Sequence, residues 1–303
     1  MRFLIAGGTG FIGSRLTDYF QKQGHEIFIL TRNPQKHPYK ERVSYIEWLD
    51  PHSQPETELE NIDVCINLAG TSLNSGRWTD QRKQQILESR MITTREFIRI
   101  MNALTEKPNV FINASAIGYY GTSKETTFTE ETMVSGHDFL AEVCSVWEQE
   151  AREAEDIGVR TVFTRFGIIL DQNEGALPQM VMPYKLMIGG PLGDGQQWMS
   201  WIHIDDVIQA IDHIINHDEL SGPVNLTAPT PQRNQDFGKT LSEVLGKPHW
   251  LPAPSIALRT ILGEMSILVL KGQYVYPEKL EATDYQFKYP TLKEALENIY
   301  SKN

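Results

Sequence analysis

The sequence predicts an α/β fold, with a doubly wound parallel sheet followed by a smaller C-terminal α/β lobe. Short apolar strand patterns alternate with helical patterns, beginning with a strand over residues 3–6 and a helix over 11–23. Such alternation is typical of a parallel sheet with helices on both faces. The strand pattern over residues 64–70 is apolar throughout, as expected for a strand covered on both sides.

The remaining elements follow from caps, breakers and apolar patterns along the chain. Gly24 ends the first helix, and Thr79 is a residue type that commonly begins one. Glycines and prolines between residues 175 and 195 break the pattern, and the chain is expected to cross there into the smaller lobe. The further predicted elements are strands over 25–30, 43–48, 64–70, 110–115 and 159–170 and helices over 80–101, 138–154 and 207–216.

Length and composition are those of an ordinary globular protein. The 303 residues suffice for a large core, and we predict a main domain over residues 1–230 and a small C-terminal domain over 247–297. Hydrophobic residues make up 40% of the chain and charged residues 22%, as in soluble proteins. The formal net charge of −11, with no basic block, argues against a nucleic-acid partner or an anionic membrane surface.

Cysteine use and apolar runs bear on the location of the protein. Cys65 and Cys144 lie far apart and form neither a metal-binding spacing nor a disulfide framework. A reducing cytoplasm is therefore the expected location. No apolar run reaches about 18 residues, so no membrane-spanning helix is expected. The expected partner is a small-molecule substrate, and the sequence leaves open whether the protein is a monomer or a homodimer.

A glycine-rich turn joins the first strand to the first helix. Its glycines have the spacing Gly7-x-x-Gly10-x-x-Gly13. Gly7 permits the tight bend, Gly10 lets the backbone approach a pyrophosphate, and Gly13 lets the helix pack closely on the strand. Free N–H groups at the helix start, with the helix dipole behind them, favour phosphates. The predicted cofactor-binding residues of this turn are Gly7, Thr9, Gly10, Phe11, Ile12 and Gly13.

The residues that follow the second strand bear on the type of cofactor. An NAD-binding site usually has an acidic residue there, which holds the ribose 2′-hydroxyl. Here Thr31 takes that place and Arg32 follows it. A guanidinium beside a small hydroxyl suits a 2′-phosphate, although a solvated surface arginine is the alternative interpretation. We therefore predict NADP as the cofactor, bound through Thr31 and Arg32, with NAD as the alternative.

The glycine spacing resembles that of the extended short-chain dehydrogenase/reductase superfamily, which contains nucleotide-sugar epimerases. The resemblance implies a nicotinamide dinucleotide bound to a Rossmann-type sheet. It places Leu68, Ala69 and Gly70 against the adenosine side of the cofactor. It places Arg90 where an Asn usually points at the cofactor. Facing inward, Arg90 could pair with the phosphates of the dinucleotide, and facing outward it would be a solvated helix charge.

The end of the strand over 110–115 resembles the place where this superfamily carries its catalytic Ser or Thr. Ser115 is the best match, and its hydroxyl could hydrogen-bond a substrate carbonyl or hydroxyl. A turn serine that caps a loop is the alternative, because the spacing to the Tyr-Gly pair at 120–121 is one residue longer than usual. Tyr120, at the border of the substrate cleft, is the second predicted catalytic residue.

The chain departs from the superfamily at its defining Tyr-x-x-x-Lys motif. The motif should lie on the helix over 138–154, where the lysine normally lowers the pKa of the tyrosine. The matching segment, 139–143, is apolar at both positions. Tyr120 and Lys124 satisfy the letters of the motif in a loop, and we interpret them as a chance match. The proton donor would then be a loop tyrosine, Glu142 or a water.

Residues 193–207 match a further signature of the extended superfamily. Met199 stands near the position of an arginine that binds the substrate diphosphate in nucleotide-sugar enzymes, which favours a more apolar pocket. His203, Asp205 and Asp206 are expected to cap and anchor the helix that follows. Arg165, in the strand over 159–170, is expected to be buried and paired.

Three more segments identify the chain as a member of an atypical group of this superfamily, the epimerase family proteins with a C-terminal domain of unknown function. They are Gly-Arg-Trp-Thr at 76–79, Gly-Tyr-Tyr-Gly at 118–121 and the tail from residue 247. The resemblance implies an NADP-dependent oxidoreductase or epimerase-like protein acting on a small substrate, which could be a sugar nucleotide. A catalytically silent NADP(H)-binding sensor or regulatory protein is the alternative, because the group lacks the usual active-site pair.

Overall fold

A computed structural model describes residues 1–300. Within this range the chain forms strands and helices whose bounds follow. The strands are β1 (Arg2–Ala6), β2 (Glu26–Thr31), β3 (Val43–Glu47), β4 (Val64–Asn67), β5 (Val110–Ala116), β6 (Thr127–Phe128), β7 (Arg160–Phe166), β8 (Ile168–Leu170), β9 (Trp198–Met199), β10 (Trp201–His203), β11 (Gly222–Leu226), β12 (Gln232–Arg233) and β13 (Tyr274–Val275). The α-helices are α1 (Phe11–Lys22), α2 (Asp80–Ala103), α3 (Phe139–Asp156), α4 (Leu177–Lys185), α5 (Ile204–Asn216), α6 (Asn234–Leu245), α7 (Ser255–Leu262), α8 (Ile267–Leu270), α9 (Glu278–Ala282) and α10 (Leu292–Tyr300).

The central sheet has seven parallel strands in the order β11-β7-β5-β4-β1-β2-β3. β1 pairs with both β2 and β4, so the direction in which strands are added reverses at β1. In sheets of this kind ligands bind at such a switch point, in the crevice outside the carboxyl ends of the strands. The glycine turn after β1 and the residues after β4 lie at this crevice. The predicted doubly wound, Rossmann-type sheet is confirmed.

Helices cover both faces of the sheet because its strands are apolar on both sides. Alternate residues of a strand point to opposite faces. Phe3 and Ile5 of β1 pack in a core with residues of α1 and α5. Leu4, between them, packs in a second core with residues of α2 and α3. The crevice is therefore flanked by α1 on one face of the sheet and by α2 and α3 on the other.

Side-chain caps stabilise the N-termini of α2 and α3, the two helices that flank the crevice on the second face. The Thr79 hydroxyl accepts a hydrogen bond from the backbone N–H of Arg82 at the start of α2, as predicted. The Asp138 carboxylate accepts one from the N–H of Ala141 at the start of α3. Each cap satisfies an N–H group that the helix itself leaves unpaired.

Two predicted strands are shorter in the structure. β4 ends at Asn67 rather than at residue 70, because the Asn67 side-chain oxygen accepts from the N–H of Ala69 at 3.2 Å and bends the chain. The strand predicted over 159–170 is divided at Gly167 into β7 and β8. A Cβ at Gly167 would lie 2.5 Å from the backbone oxygen of Ser200. This close approach lets the chain leave the main sheet and pair with β10.

The C-terminal segment packs against elements from the middle of the chain. β13 lies parallel to β6. The α10 residues Ala295 and Leu296 share a hydrophobic core with Phe237 and Leu241 of α6. Among residues 1–300, the structure contains no helix with the length and apolar character needed to cross a bilayer.

Candidate functional site

The glycine turn after β1 has the geometry that its spacing predicts. Gly7 has a φ of +77°, a left-handed conformation that favours glycine. A Cβ at Gly13 would lie 2.1 Å from the Gly7 oxygen, so only glycine lets α1 pack this closely on the turn. A Cβ at Gly10 would meet only the Gly7 oxygen, at 3.3 Å. Gly10 therefore borders open space, which a side chain would occupy.

The N-terminus of α1 fits an anionic group. Gly10 is the N-cap, no side chain caps the helix, and its first turn contains no acidic residue. Its first N–H groups lack partners within the helix and carry the positive end of the helix dipole. Thr9 and Gly10 are exposed, whereas Phe11 and Ile12 are half-buried. The residues present therefore fit the pyrophosphate of a dinucleotide, and their role in binding stays a prediction.

The residues after β4 form the opposite side of the crevice. A Cβ at Gly7 would lie 2.9 Å from the carbonyl of Leu68, so the two turns are in close contact. Leu68 and Ala69 are half-buried and Gly70 is exposed. A Cβ at Gly70 would lie 3.3 Å from the Cζ atom of Arg90. Because Ala69 has a small side chain and Gly70 has none, the backbone itself lines this side of the crevice.

The end of β2 carries no acidic side chain at the position of Thr31. The Thr31 hydroxyl lies 3.3 Å from Nε2 of His37, whose ring stacks on Tyr45 with centroids 4.5 Å apart. Arg32 is exposed, and its guanidinium makes no hydrogen bond or ion pair with any residue in 1–300. The side chain of Arg32 is therefore available to a ligand at this end of the crevice.

Arg90 faces inward, which decides between the two orientations considered above. Its residue surface is 8% exposed, and its Nη1 donates to the carbonyl oxygens of Thr71 and Ile86 at 3.1 and 3.0 Å. Its guanidinium lies over the ring of Trp147, with 4.8 Å from Cζ to the centroid. Within the described chain its buried Nε has no hydrogen-bond partner.

Ser115 belongs to a buried ionic cluster at the end of β5. Its hydroxyl donates to Oε1 of Glu148 at 2.6 Å. Arg165 donates to both oxygens of the same carboxylate, from Nε and Nη2, at 2.8 Å each. Burial opposes the charge of Arg165, but the Glu148 carboxylate outweighs it and raises the pKa of Arg165. The expectation that Arg165 is buried and paired is confirmed.

Two tyrosines cover the other side of Arg165. Its Cζ lies 3.6 Å from the ring centroid of Tyr119 and 4.8 Å from that of Tyr120. The Tyr120 hydroxyl donates to Oδ1 of Asn225 at 2.8 Å, and burial raises the pKa of Tyr120 to about 12. Tyr119 is half-buried and donates to the carbonyl oxygen of Met133. The hydroxyl hydrogens of Ser115 and Tyr120 are thus both used inside the protein, and their catalytic roles stay predictions.

Glu148 and Asn225 are site residues that the sequence interpretation missed. The register of the sheet places Ser115 beside Arg165 and Arg165 beside Asn225, in one row across three strands. Glu148 reaches this row from α3. A signal was present, because Glu148 follows Cys144 by one helical turn and lies between the buried Trp147 and Ala151. An acid on an apolar helix face indicates a buried partner.

The comparisons with known proteins agree with this geometry. A family model described as the NAD dependent epimerase/dehydratase family matches residues 3–226. The chain belongs to this family. A second model, described as a domain of unknown function (DUF1731), matches residues 253–299. The resemblance to epimerase family proteins with such a C-terminal domain is thereby confirmed.

Individual family members match over the full chain. The epimerase family protein YfhF of Bacillus subtilis is 46% identical over 299 residues, which cover 99% of this chain and 98% of the relative. The human epimerase family protein SDR39U1, solved with NADPH, is 29% identical with a TM-score of 0.87, and the match covers 100% of both chains. A nucleoside-diphosphate sugar epimerase from Corynebacterium glutamicum is 32% identical with a TM-score of 0.78, covering 99% of this chain and 58% of that one.

Helix α3 of this epimerase family member lacks a tyrosine–lysine pair, because Phe139 and Val143 stand at the two motif positions. The adjacent Leu140 and Cys144 contact the backbone near Gly118, where a Cβ would lie 3.3 Å from Leu140 and 3.7 Å from Cys144. Glu142 is exposed to solvent and does not join the buried cluster. Lys124 forms an ion pair with Asp194 at the surface. No interaction joins Lys124 to Tyr120 among the described residues, in agreement with a chance match.

The 193–207 segment is mostly structural in this family member. Met199 is buried, and its sulfur accepts from Nδ2 of Asn234 at 3.4 Å. The His203 ring caps α5 by accepting from the N–H of Asp205, as predicted. Asp206 differs from the prediction. Its carboxylate accepts hydrogen bonds from the backbone N–H groups of Lys288 and Tyr289, in the C-terminal segment. It therefore anchors the C-terminus rather than only its own helix.

Proposed function

We propose that this family member is an NADP-dependent oxidoreductase or epimerase-like enzyme that acts on a small-molecule substrate. The observation that supports the proposal is a crevice with an open glycine turn at the N-terminus of α1 and, just after β2, an Arg32 that has no partner within residues 1–300. The turn suits the pyrophosphate, and the guanidinium suits a 2′-phosphate. The human relative with NADPH, at 29% identity over the whole chain, supports the same cofactor.

NADP is preferred over NAD because the end of β2 offers no carboxylate. A carboxylate accepts hydrogen bonds from a ribose 2′-hydroxyl and repels a 2′-phosphate. Here the neutral hydroxyl of Thr31 takes that place, with His37 3.3 Å away and Arg32 next in the chain. A guanidinium donates two parallel hydrogen bonds to a phosphate. Arg32 therefore contributes attraction where an acid would contribute repulsion.

In this proposal a bound dinucleotide would supply or accept a hydride, and residues at the ends of β5 and β7 arrange the substrate. Ser115 orients a substrate hydroxyl, which donates to a lone pair of the serine oxygen, while Glu148 accepts the serine hydrogen and holds the side chain in one rotamer. Arg165, which donates to the same carboxylate, lies over the ring of Tyr119. The buried Met199 in place of an arginine favours a substrate less charged than a sugar diphosphate, although a sugar nucleotide stays within the proposal.

A catalytically silent NADP(H)-binding sensor is the second candidate function. The observation that favours it is the apolar pair at the two motif positions of α3, Phe139 and Val143, which supplies no acid or base. The neighbouring Cys144 thiol supplies none at neutral pH, because burial raises its pKa to about 11. The two candidates differ in turnover. Screening carbonyl compounds and sugar nucleotides for NADPH oxidation detects the enzyme, whereas a sensor shows only a change in nicotinamide fluorescence when a metabolite binds.

The cofactor assignment is tested by titrating NADPH and NADH against wild type and Arg32→Asp. We expect wild type to bind NADPH more tightly. A charge-assisted contact contributes roughly 1.5–3 kcal/mol, so Arg32→Asp is expected to lose about tenfold or more in NADPH affinity and to narrow or reverse the preference. Isothermal titration calorimetry measures both dissociation constants.

Lys293→Asp is the matched control for the cofactor titration. It makes the same change in charge at an exposed site on α10, remote from β2. The control is expected to leave both affinities unchanged. Equal affinities of wild type for NADPH and NADH, with no effect of Arg32→Asp, would contradict the NADP assignment.

The proposed compartment is the reducing cytoplasm. Cys65 and Cys144 are both free thiols and both buried, on different elements of the fold. Unpaired, buried thiols are the usual state of cysteines in a reducing environment. Labelling of the unfolded protein with a thiol reagent, directly after extraction from cells, is expected to modify both cysteines.

A further inference from the structure

Arg90 is a buried cation without a carboxylate partner. It is 8% exposed, and its two hydrogen bonds go to backbone carbonyls at 3.0 and 3.1 Å. Buried arginines are normally paired with acids because removing a charge from water is costly. Arg165, in the buried cluster with Ser115, is paired in the usual way, because both carboxylate oxygens of Glu148 accept hydrogen bonds from it. No acid forms an ion pair with Arg90 anywhere in residues 1–300.

The charge of Arg90 is not balanced by its neighbours. The titratable group that interacts with it is the Cys144 thiol. Burial raises the pKa of that thiol to about 11, so it is neutral at pH 7. Burial also lowers the pKa of Arg90, but an arginine stays protonated in a protein near neutral pH. A full positive charge therefore lies at this point, and its buried Nε has no hydrogen-bond partner within residues 1–300.

Arg90 lies farther along the crevice than the glycine turn, where the phosphates are proposed to bind. The contacts lead from Gly7 to Leu68, and from Gly70 to the Arg90 guanidinium. Arg90 then contacts Trp147 on α3, which covers the face of the sheet opposite to α1. Cys144, one turn before Glu148, approaches Gly118 after β5. Arg90 thus lies between the glycine turn and the Ser115 cluster. A dinucleotide that passes Gly70 with its adenosine side and extends toward Ser115 would bring its nicotinamide half toward this point.

We propose that Arg90 makes this site selective for the reduced cofactor, NADPH, over NADP⁺. The inference rests on the proposed function. The oxidised nicotinamide ring carries a positive charge and the reduced ring is neutral, so an unbalanced guanidinium beside the ring repels only the oxidised form. The low dielectric around a buried arginine strengthens this repulsion. The resting protein would then be loaded with NADPH.

Selective loading with NADPH bears on the reaction class. A redox-neutral epimerase must begin by taking a hydride from its substrate onto an oxidised ring. A reductase begins with the reduced ring, whose hydride adds to the electrophilic carbon of a carbonyl substrate. The oxygen of that carbonyl gains one proton from solvent, and the cofactor leaves as NADP⁺. The charge of Arg90 therefore favours a carbonyl reductase, or a sensor of NADPH, over an epimerase.

The test measures the affinities of three ligands by calorimetry: NADPH, NADP⁺ and 2′-phospho-ADP-ribose, which lacks the nicotinamide. Wild type is expected to bind NADPH about tenfold more tightly than NADP⁺. Arg90→Gln keeps a donor for the carbonyls and removes the charge, so the ratio is expected to approach one. Arg90→Lys keeps the charge and is expected to keep the preference. None of these changes is expected to alter the affinity for 2′-phospho-ADP-ribose.

The matched control is Arg95→Gln, one helical turn and one residue further along α2, where the arginine is paired with Glu150 at the surface. It is expected to leave all three affinities unchanged. Equal wild-type affinities for NADPH and NADP⁺ would overturn the inference without any variant. A parallel loss for all three ligands in Arg90→Gln would overturn it too, because Arg90 would then contact phosphates. No binding of any ligand to wild type would instead contradict the proposed function.

Discussion

At the scale of single residues, the hydroxyl of Ser115 at the end of β5 has a defined orientation. The Ser115 hydroxyl is turned toward α3 and donates to Glu148 rather than to open solvent. The proposed substrate hydroxyl would therefore donate to a lone pair of the serine oxygen. Glu148 is also held by two bonds from Arg165, so it keeps its place when one donor is lost. Substitution of Ser115 is therefore a test of chemistry more than of folding.

We expect Ser115→Ala to reduce turnover more than Lys124→Ala. The first change removes the hydroxyl that we propose to orient the substrate, whereas Lys124 pairs with Asp194 at the surface. Once a substrate is found by the NADPH-oxidation screen, kcat and KM are measured for both variants. A thousand-fold loss of kcat in Lys124→Ala, with normal binding, would restore an ordinary tyrosine–lysine mechanism and show this interpretation to be wrong.

At the scale of elements, two glycines in the unit of β1, the turn and α1 allow cofactor binding and folding to be tested separately. Gly10 has a φ of −83°, which any residue adopts, and its Cα faces open space. We expect Gly10→Val to fold normally and to abolish binding of NADPH, because its side chain fills the space that the pyrophosphate needs. Calorimetry measures binding, and circular dichroism with thermal unfolding measures the fold.

Gly13→Val is the matched comparison on the same helix. Its Cβ would lie 2.1 Å from the Gly7 oxygen, so α1 must move away from the turn. Overpacking of this kind typically costs about 1–3 kcal/mol of the free energy of unfolding. The variant is expected to lose both stability and binding. Native NADPH affinity in Gly10→Val would show that the turn is not the phosphate site.

Helix α3 is tied to β7 by the ion pair between Glu148 and Arg165, whose side chains are 6% and 3% exposed. Glu148→Ala leaves a buried guanidinium without a partner. Breaking a buried pair in this way costs about 3–5 kcal/mol. Urea denaturation at neutral pH measures the loss in the free energy of unfolding.

Glu155→Ala, on the same helix, is the control for the buried pair. Glu155 pairs with Arg152 at the surface, where the two side chains are 43% and 55% exposed. Exposed pairs of this kind contribute at most about 1 kcal/mol. A loss in Glu148→Ala no larger than that in Glu155→Ala would mean that the buried cluster does not stabilise the fold.

At the scale of the whole molecule, Asp206 joins the C-terminal segment to helix α5. Its two carboxylate oxygens accept from the N–H groups of Lys288 and Tyr289, at 2.7 and 3.0 Å. The Tyr285 hydroxyl donates to the backbone oxygen of Asp206 at 3.0 Å. Burial raises the pKa of Asp206. The carboxylate is therefore an anchor inside the protein, not a surface cap.

We expect Asp206→Ala to loosen residues 285–300 before the rest of the molecule unfolds. Each buried N–H left without an acceptor costs about 1–3 kcal/mol. Hydrogen exchange measured by mass spectrometry is expected to show faster exchange in that segment. Asp205→Ala is the control, because Asp205 forms only a surface pair with Lys288. Equal exchange in both variants would contradict the anchoring role of Asp206.

The sequence by itself determined the parallel sheet, the glycine turn, the missing tyrosine–lysine pair and the family. These features are local, because periodicity, glycine spacing and helix caps act over a few residues. It also predicted that Arg165 is paired. The limits of β4 and β7 were missed, since a side-chain bend at Asn67 and a close approach at Gly167 depend on contacts outside the strand.

Only the tertiary structure decided which partners the site residues have. Ser115 lies 33 residues before Glu148 in the chain, and Asp206 lies 82 residues before Lys288. Whether Arg90 faces water or the crevice depends on how α2 packs against α3. Side chains project from a helix in all directions, so its packing decides which of them are buried. The charge balance around a buried group is set by neighbours from several elements. For that reason the partners of Ser115 and the isolation of Arg90 could be read only from the folded chain.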